Sequence, residues 1–105
     1  MFDWQLLQDD NLIEKFDNIE LLNDILYAND DLFFDYKNKV LHKNNHDIKI
    51  KIDFHNNRLF IIMNDNTLET DIYYISNKED DNLINIDYQI AENEPIYTLI
   101  ITRKE

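Results

Sequence analysis

The chain has 105 residues, with 22 Asp or Glu against 10 Lys or Arg for a net charge of −12, and 44% of its residues are hydrophobic. That is the length of one domain, and it is apolar enough to fold around a core in spite of its charge. Cysteine and glycine are both absent, which excludes a disulfide framework, a thiolate metal site and every phosphate-cradling loop that depends on glycine.

Taken in chain order, the first third has helical spacing. Asn11 followed by Glu14 matches a capping box, and Leu12, Ile13 and Phe16 then share one helical face. Asp17 followed by Glu20 repeats the signal ahead of Leu21, Leu22, Ile25 and Leu26, with an end near Asn29-Asp30-Asp31. On that pattern Glu14, Asp17, Asn18, Glu20 and Asp24 point outward. The segment Trp4 to Gln8 either begins the first helix or precedes it. From residue 32 the period changes to two. Leu32, Phe34 and Tyr36 alternate with Phe33 and Asp35, and Asp47 to Phe54 alternates strictly, with Ile48, Ile50, Ile52 and Phe54 on one side. Asn56-Asn57 joins that strand to the apolar run Arg58 to Met63 as a hairpin, because Asn and Asp take over the positive-φ turn positions that glycine would fill. A turn at Asn64-Asp65-Asn66 leads to a strand from Thr67 to Ser76. After a polar loop over Asn77 to Asn82, strands follow at Ile84 to Ile90 and Ile96 to Thr102. The predicted fold is α+β in a single domain, 1–105: two N-terminal helices on one face of an antiparallel meander of five or six strands, since short connections leave no room for parallel crossovers.

Catalytic groups are scarce. His42 and His46 have the spacing of two metal ligands on a helix, but Lys43-Asn44-Asn45 between them predicts a polar turn with solvated histidines. His55 sits at a hairpin end. The acid pairs Asp9-Asp10, Asp30-Asp31 and Asp80-Asp81 lack the alternating oxygens and central glycine of a calcium loop, and the one serine, Ser76, is in no nucleophile elbow. These absences predict no metal, no cofactor and no enzyme. No run approaches the roughly 18 apolar residues of a membrane span, and Met1-Phe2-Asp3-Trp4 lacks the basic, then apolar, opening of a signal peptide. A cytoplasmic protein is expected.

Charge is unevenly spread. Residues 1–35 hold ten acids against Lys15 alone; residues 36–58 hold six bases against Asp47 and Asp53; residues 59–105 hold ten acids against three bases. The three segments carry −9, +4 and −7. Such a field repels nucleic acid and anionic membranes and steers a basic protein toward it. The expected partner surface is the acidic helical face with Asp17, Glu20, Asp24, Asp30 and Asp31; the loops at Glu79-Asp80-Asp81 and Glu92 to Glu94 are the second choice. Lys49 and Lys51 are expected to pair with acids such as Glu69 or Asp71 on neighbouring strands. Tyr73 and Tyr74, adjacent on a strand, must point to opposite faces, so one of them reaches a surface where tyrosine suits an interface.

Trp4-x-x-Leu7, helical Leu12-Ile13 with Phe16, and the alternating Ile48-x-Ile50-x-Ile52 together resemble the small acidic immunity proteins of bacterial polymorphic and contact-dependent toxin systems. The resemblance covers the general layout of the chain and carries over no site residue; members of such families commonly keep glycines that this chain lacks. It implies an inhibitor that caps a basic, nuclease-type toxin domain. Two other roles share the features: a phage-encoded anti-CRISPR or anti-restriction inhibitor that mimics DNA, and a structural module whose sheet edge pairs with a second copy to form a homodimer.

Overall fold

A computed structural model describes residues 1–104. It corrects the fold class: among the described residues there are no helices, and the protein is all-β, with twelve strands in two antiparallel sheets. The α+β arrangement with two N-terminal helices is not formed. No helix is therefore long and apolar enough to cross a membrane.

The chain makes two compact units. The terminal unit holds Met1–Glu20 together with the chain from Ile72 onward, and the central unit is Leu21–Asp71. In the terminal unit, β1 (Phe2–Gln8) and β2 (Asn11–Ile19) begin the chain, while β10 (Tyr74–Glu79), β11 (Leu83–Gln89) and β12 (Tyr97–Arg103) end it. They pair in the order β10-β11-β12-β1-β2. Phe2, Trp4 and Leu6 of β1, Ile84, Ile86 and Tyr88 of β11, and Leu99 and Ile101 of β12 alternate onto one buried face. The register lines up Trp4, Ile101 and Ile84 in one row across β1, β12 and β11, and Leu6, Leu99 and Ile86 in the next. Burial, with Tyr97 and Glu14 adding to it, pushes the Tyr88 phenol above its ordinary pKa.

β2 shows why a helix was predicted and a strand forms. Phe16 pairs with Trp4 but Ile19 with Phe2, and Glu14 pairs with Leu6 but Leu12 with Leu7, so β2 carries an extra residue at each of these two places. These are β-bulges, and the one near Asn18 uses a positive φ of 58°. Each bulge shifts the alternation by one residue: the one near Asn18 puts Phe16 and Ile19, three apart, on the core face, while the one at Ile13 leaves Leu12 and Ile13 exposed. As a result Glu14, placed outward on the helical pattern, turns to the buried side beside Leu6; its Oε1 is buried without a hydrogen-bond partner. Phe16 meets Trp4 edge to face at 6.2 Å.

The central unit is a meander in sequence order: β3 (Leu21–Leu22), β4 (Ile25–Asn29), β5 (Leu32–Asp35), β6 (Val40–Asn45), β7 (Ile48–Asp53), β8 (Arg58–Met63) and β9 (Asn66–Asp71). The second predicted helix is the β3–β4 hairpin. Its two-residue turn, Asn23-Asp24, has φ of 52° and 66°, as a type I′ turn demands, and pairs Leu22 with Ile25 and Leu21 with Leu26. A two-residue hairpin brings residues three and five apart together, so the same four apolar positions satisfy either structure. Among the described residues seven of the nine with positive φ are Asn or Asp, which is how a glycine-free sequence makes its turns.

Register across the central sheet aligns Leu26, Phe34, Leu41, Ile52 and Leu59 in one buried row. The opposite face carries Tyr27, Phe33, His42, Lys51, Phe60 and Glu69 in line. There His42 is no part of a polar turn: it lies on β6 and stacks on Phe33 at 4.6 Å. Burial and the Lys51 charge hold its imidazole below the usual histidine pKa, against an opposite pull from Asp35. Arg58, rather than Lys49 or Lys51, takes the carboxylates of β9, bonding Glu69 at 3.0 Å and also Asp71.

Candidate partner-binding surface

The eight acids expected at a partner surface do not form one face. Asp17 is exposed on β2 with Lys15 at 3.9 Å, and Glu20 is exposed just after β2, both in the terminal unit. Asp24, Asp30 and Asp31 belong to the central unit. There Asp24 lies in the turn before β4 and Asp30-Asp31 in the turn after it, so the strand holds them roughly 15 Å apart. Glu79 ends β10 and Asp80-Asp81 form the turn to β11, where Asp80 Oδ1 accepts the N–H of Asn82 at 2.8 Å. Register puts this turn and the Glu20 end of β2 at the same end of the terminal sheet, but on opposite edges, roughly 19 Å apart across the strands.

A different constellation does converge. Tyr73, Tyr74, Asp87, Gln89 and Ile96 line an open recess of about 320 Å³ in the terminal unit. A bend at Tyr73, just before β10, builds it by breaking the alternation that would send the two tyrosines to opposite faces: Ile72 is buried, Tyr73 is 59% exposed, and Tyr74, 45% exposed, starts β10 opposite Gln89 of β11. Tyr73 is held by its N–H, which donates to the Ile90 carbonyl at 3.2 Å. The loop after β11 is folded back by Gln89, whose Nε2 donates to the carbonyls of Glu92 at 2.8 Å and Glu94 at 3.0 Å. That loop delivers Pro95 and Ile96. Ile96 is then pinned to the β1–β2 turn: its N–H donates to Asp9 Oδ1 at 3.0 Å, and the Asp9 N–H donates to its carbonyl at 2.8 Å. Asp87 is fixed by the Thr98 hydroxyl, which donates to Oδ1 at 2.7 Å.

The recess therefore has aromatic and aliphatic walls, a carboxylate in its lining, and further acids close in the chain: Glu92 and Glu94 on the loop, Asp9 and Asp10 on the adjoining turn. Its unit holds thirteen Asp or Glu against four Lys or Arg, a net of −9, whereas the central unit holds nine against six, a net of −3. Apolar walls beside carboxylates match a lysine or arginine side chain, whose stem is apolar and whose head is cationic. The tyrosine pair was visible in the sequence. Asp87, Gln89 and Ile96 were not, because they come from strands and a loop that only the pairing of β10, β11 and β12 brings to that corner.

A second recess, of about 350 Å³, lies in the central unit and has the opposite character: Lys37, Lys51 and His55 line it with Asn38, Val40, Asp53 and Asn56. Asp53 is occupied there in capping its own turn, accepting the N–H groups of His55 at 3.1 Å and Asn56 at 3.0 Å. Among the described residues no group of three or more His, Asp or Glu side chains is placed to hold a metal ion. A comparison with protein-family models, curated proteins and solved structures finds no match to the chain. Of the residues that carry the resemblance to toxin-immunity proteins, Leu12, Ile13 and Phe16 lie on a bulged strand and Ile48 to Ile52 on a regular one.

Proposed function

We propose that this protein is an acidic binding protein that captures a basic segment of a partner protein at the Tyr73–Tyr74–Ile96 recess, and that the partner is a basic toxin domain whose activity it blocks. The observation that carries the reading is the recess itself: two exposed tyrosines and an exposed isoleucine grouped with Asp87 in the unit that holds most of the negative charge. Buried tyrosines anchor interfaces, and surrounding carboxylates steer a cationic partner toward them and reject anionic ones. The toxin-inhibitor role rests on acidity, size and the resemblance; the binding of a cationic segment rests on the recess.

The test is an amide-resolved NMR titration with an oligo-arginine peptide, run in parallel with an oligo-glutamate peptide. The expected result is perturbation centred on Tyr73, Tyr74, Asp87, Gln89 and Ile96, with affinity falling as salt rises. The oligo-glutamate peptide should perturb nothing. Shifts spread evenly over all carboxylates, or centred on Glu79-Asp80-Asp81, would place binding elsewhere.

A further inference from the structure

The far end of the central sheet leaves both a face and an edge uncovered. Its buried row runs through Phe34, Leu41, Ile52 and Leu59, but burial falls away two residues further along the same face. There Ile50 and Ile61 are half-buried, Leu68 is 62% exposed and Met63 49% exposed. The register sets Ile50, Ile61 and Leu68 side by side, so this apolar strip runs out to β9. β9 ends the strand order, and all six of its residues are exposed. Sheets guard such edges with lysine, proline, bulges or inward charge. β9, Asn-Thr-Leu-Glu-Thr-Asp, has no lysine or proline and pairs with β8 without a register shift. Its carboxylates stand on the face opposite Leu68, where Arg58 binds both.

We infer that β9 pairs antiparallel with β9 of a second copy of this chain, about a two-fold axis through Leu68. Electrostatics favours this occupant. Residues 48–71 carry four acids against three bases, a net of −1 in a chain of −12, so two copies repel only weakly here. Electrostatics also selects the register. A two-fold axis perpendicular to the sheet keeps the same face on the same side in both copies. Centred on Glu69, it would set Glu69 directly against Glu69 of the second copy, a destabilising like-charge pair. Centred on Thr67, it would bring Glu69 opposite Asp65 and Leu68 opposite Asn66. Centred on Leu68, it sets Leu68 against itself and Glu69 opposite Thr67, and it joins the two Ile61–Leu68 strips into one apolar surface. Main-chain hydrogen bonds along the edge supply the rest of the pairing.

The absence of cysteine from the chain makes the test clean. Leu68→Cys introduces a single thiol that meets its own copy across the axis, within the Cα separation a disulfide spans. In Glu69→Cys the two thiols lie on a diagonal, beyond that reach. Under mild oxidation Leu68→Cys should form covalent dimer at least about tenfold faster than Glu69→Cys. Light scattering on the unmodified protein should give a dimer mass that Leu68→Glu, a change at an exposed position, reduces to monomer with an unchanged circular dichroism spectrum. A monomer at every concentration, equal oxidation of the two cysteine variants, or a dimer that survives Leu68→Glu would each overturn the inference.

Discussion

Trp4→Ala should lower stability by about 3–5 kcal/mol, as large-to-small changes at fully buried aromatic positions do. Trp4 is 1% exposed on β1, between β12 and β2, with Ile101 on one side and the Phe16 ring on the other. Its removal takes away the largest side chain of the terminal unit and leaves a cavity that a five-stranded sheet, pinned by hydrogen bonds on both sides of β1, closes only in part. Against the roughly 5–15 kcal/mol by which small domains are stable, that is a large fraction. Urea unfolding followed by far-UV circular dichroism measures it, since Trp4 is the only tryptophan and the variant loses that fluorophore. Leu12→Ala is the control. Leu12 is exposed on the bulged β2, so its truncation should cost less than about 0.5 kcal/mol. An equal loss at Leu12 would restore the helical stripe in which Leu12 and Phe16 face inward together.

Phe34→Ala should cost a similar 3–5 kcal/mol while Phe33→Ala costs only about 1 kcal/mol. The two residues are neighbours on β5 and point to opposite faces. Phe34 is fully buried in the row between Leu26 and Leu41, with the Phe54 ring 6.4 Å away. Phe33 stands on the other face between Tyr27, at 5.3 Å, and His42, where it is half-buried and loses little more than its stacking. The same urea titration reads both. Comparable losses would mean that the central sheet does not alternate as its register requires.

Much of the second half of the fold was legible because its strands alternate cleanly. β7, β8, β11 and β12 fall within a residue or so of the segments predicted from period two, and Asn56-Asn57 and Asn64-Asp65 mark turns. The first third misled for a physical reason. A bulge in β2 and a two-residue turn after Leu22 each bring apolar residues three apart together, Phe16 with Ile19 and Leu22 with Ile25, and a helix does the same; only tertiary pairing with β1 and β5 decides between them. β6 was missed because Lys43, Asn44 and Asn45 give it no apolar alternation, yet β5 and β7 pair with it on either side. The predicted strand from Thr67 to Ser76 is in fact two, β9 and β10, which belong to different units. For the site, the sequence displayed charge and a tyrosine pair but not their grouping. The acids it pointed to are spread over two units, and the recess draws on residues far apart in the chain.

The most direct measurement of the functional claim is the oligo-arginine affinity of two double variants that leave the cores untouched. Tyr73→Ser/Tyr74→Ser removes the aromatic walls and keeps every charge. Asp80→Asn/Asp81→Asn removes two charges at the opposite end of the terminal sheet. If the recess is the binding site, the tyrosine variant should weaken binding by about 30-fold, as the loss of an interface anchor does, and the aspartate variant by no more than about twofold, a distant and screened electrostatic effect. Unchanged affinity in the tyrosine variant, or a larger loss in the aspartate variant, would contradict the claim.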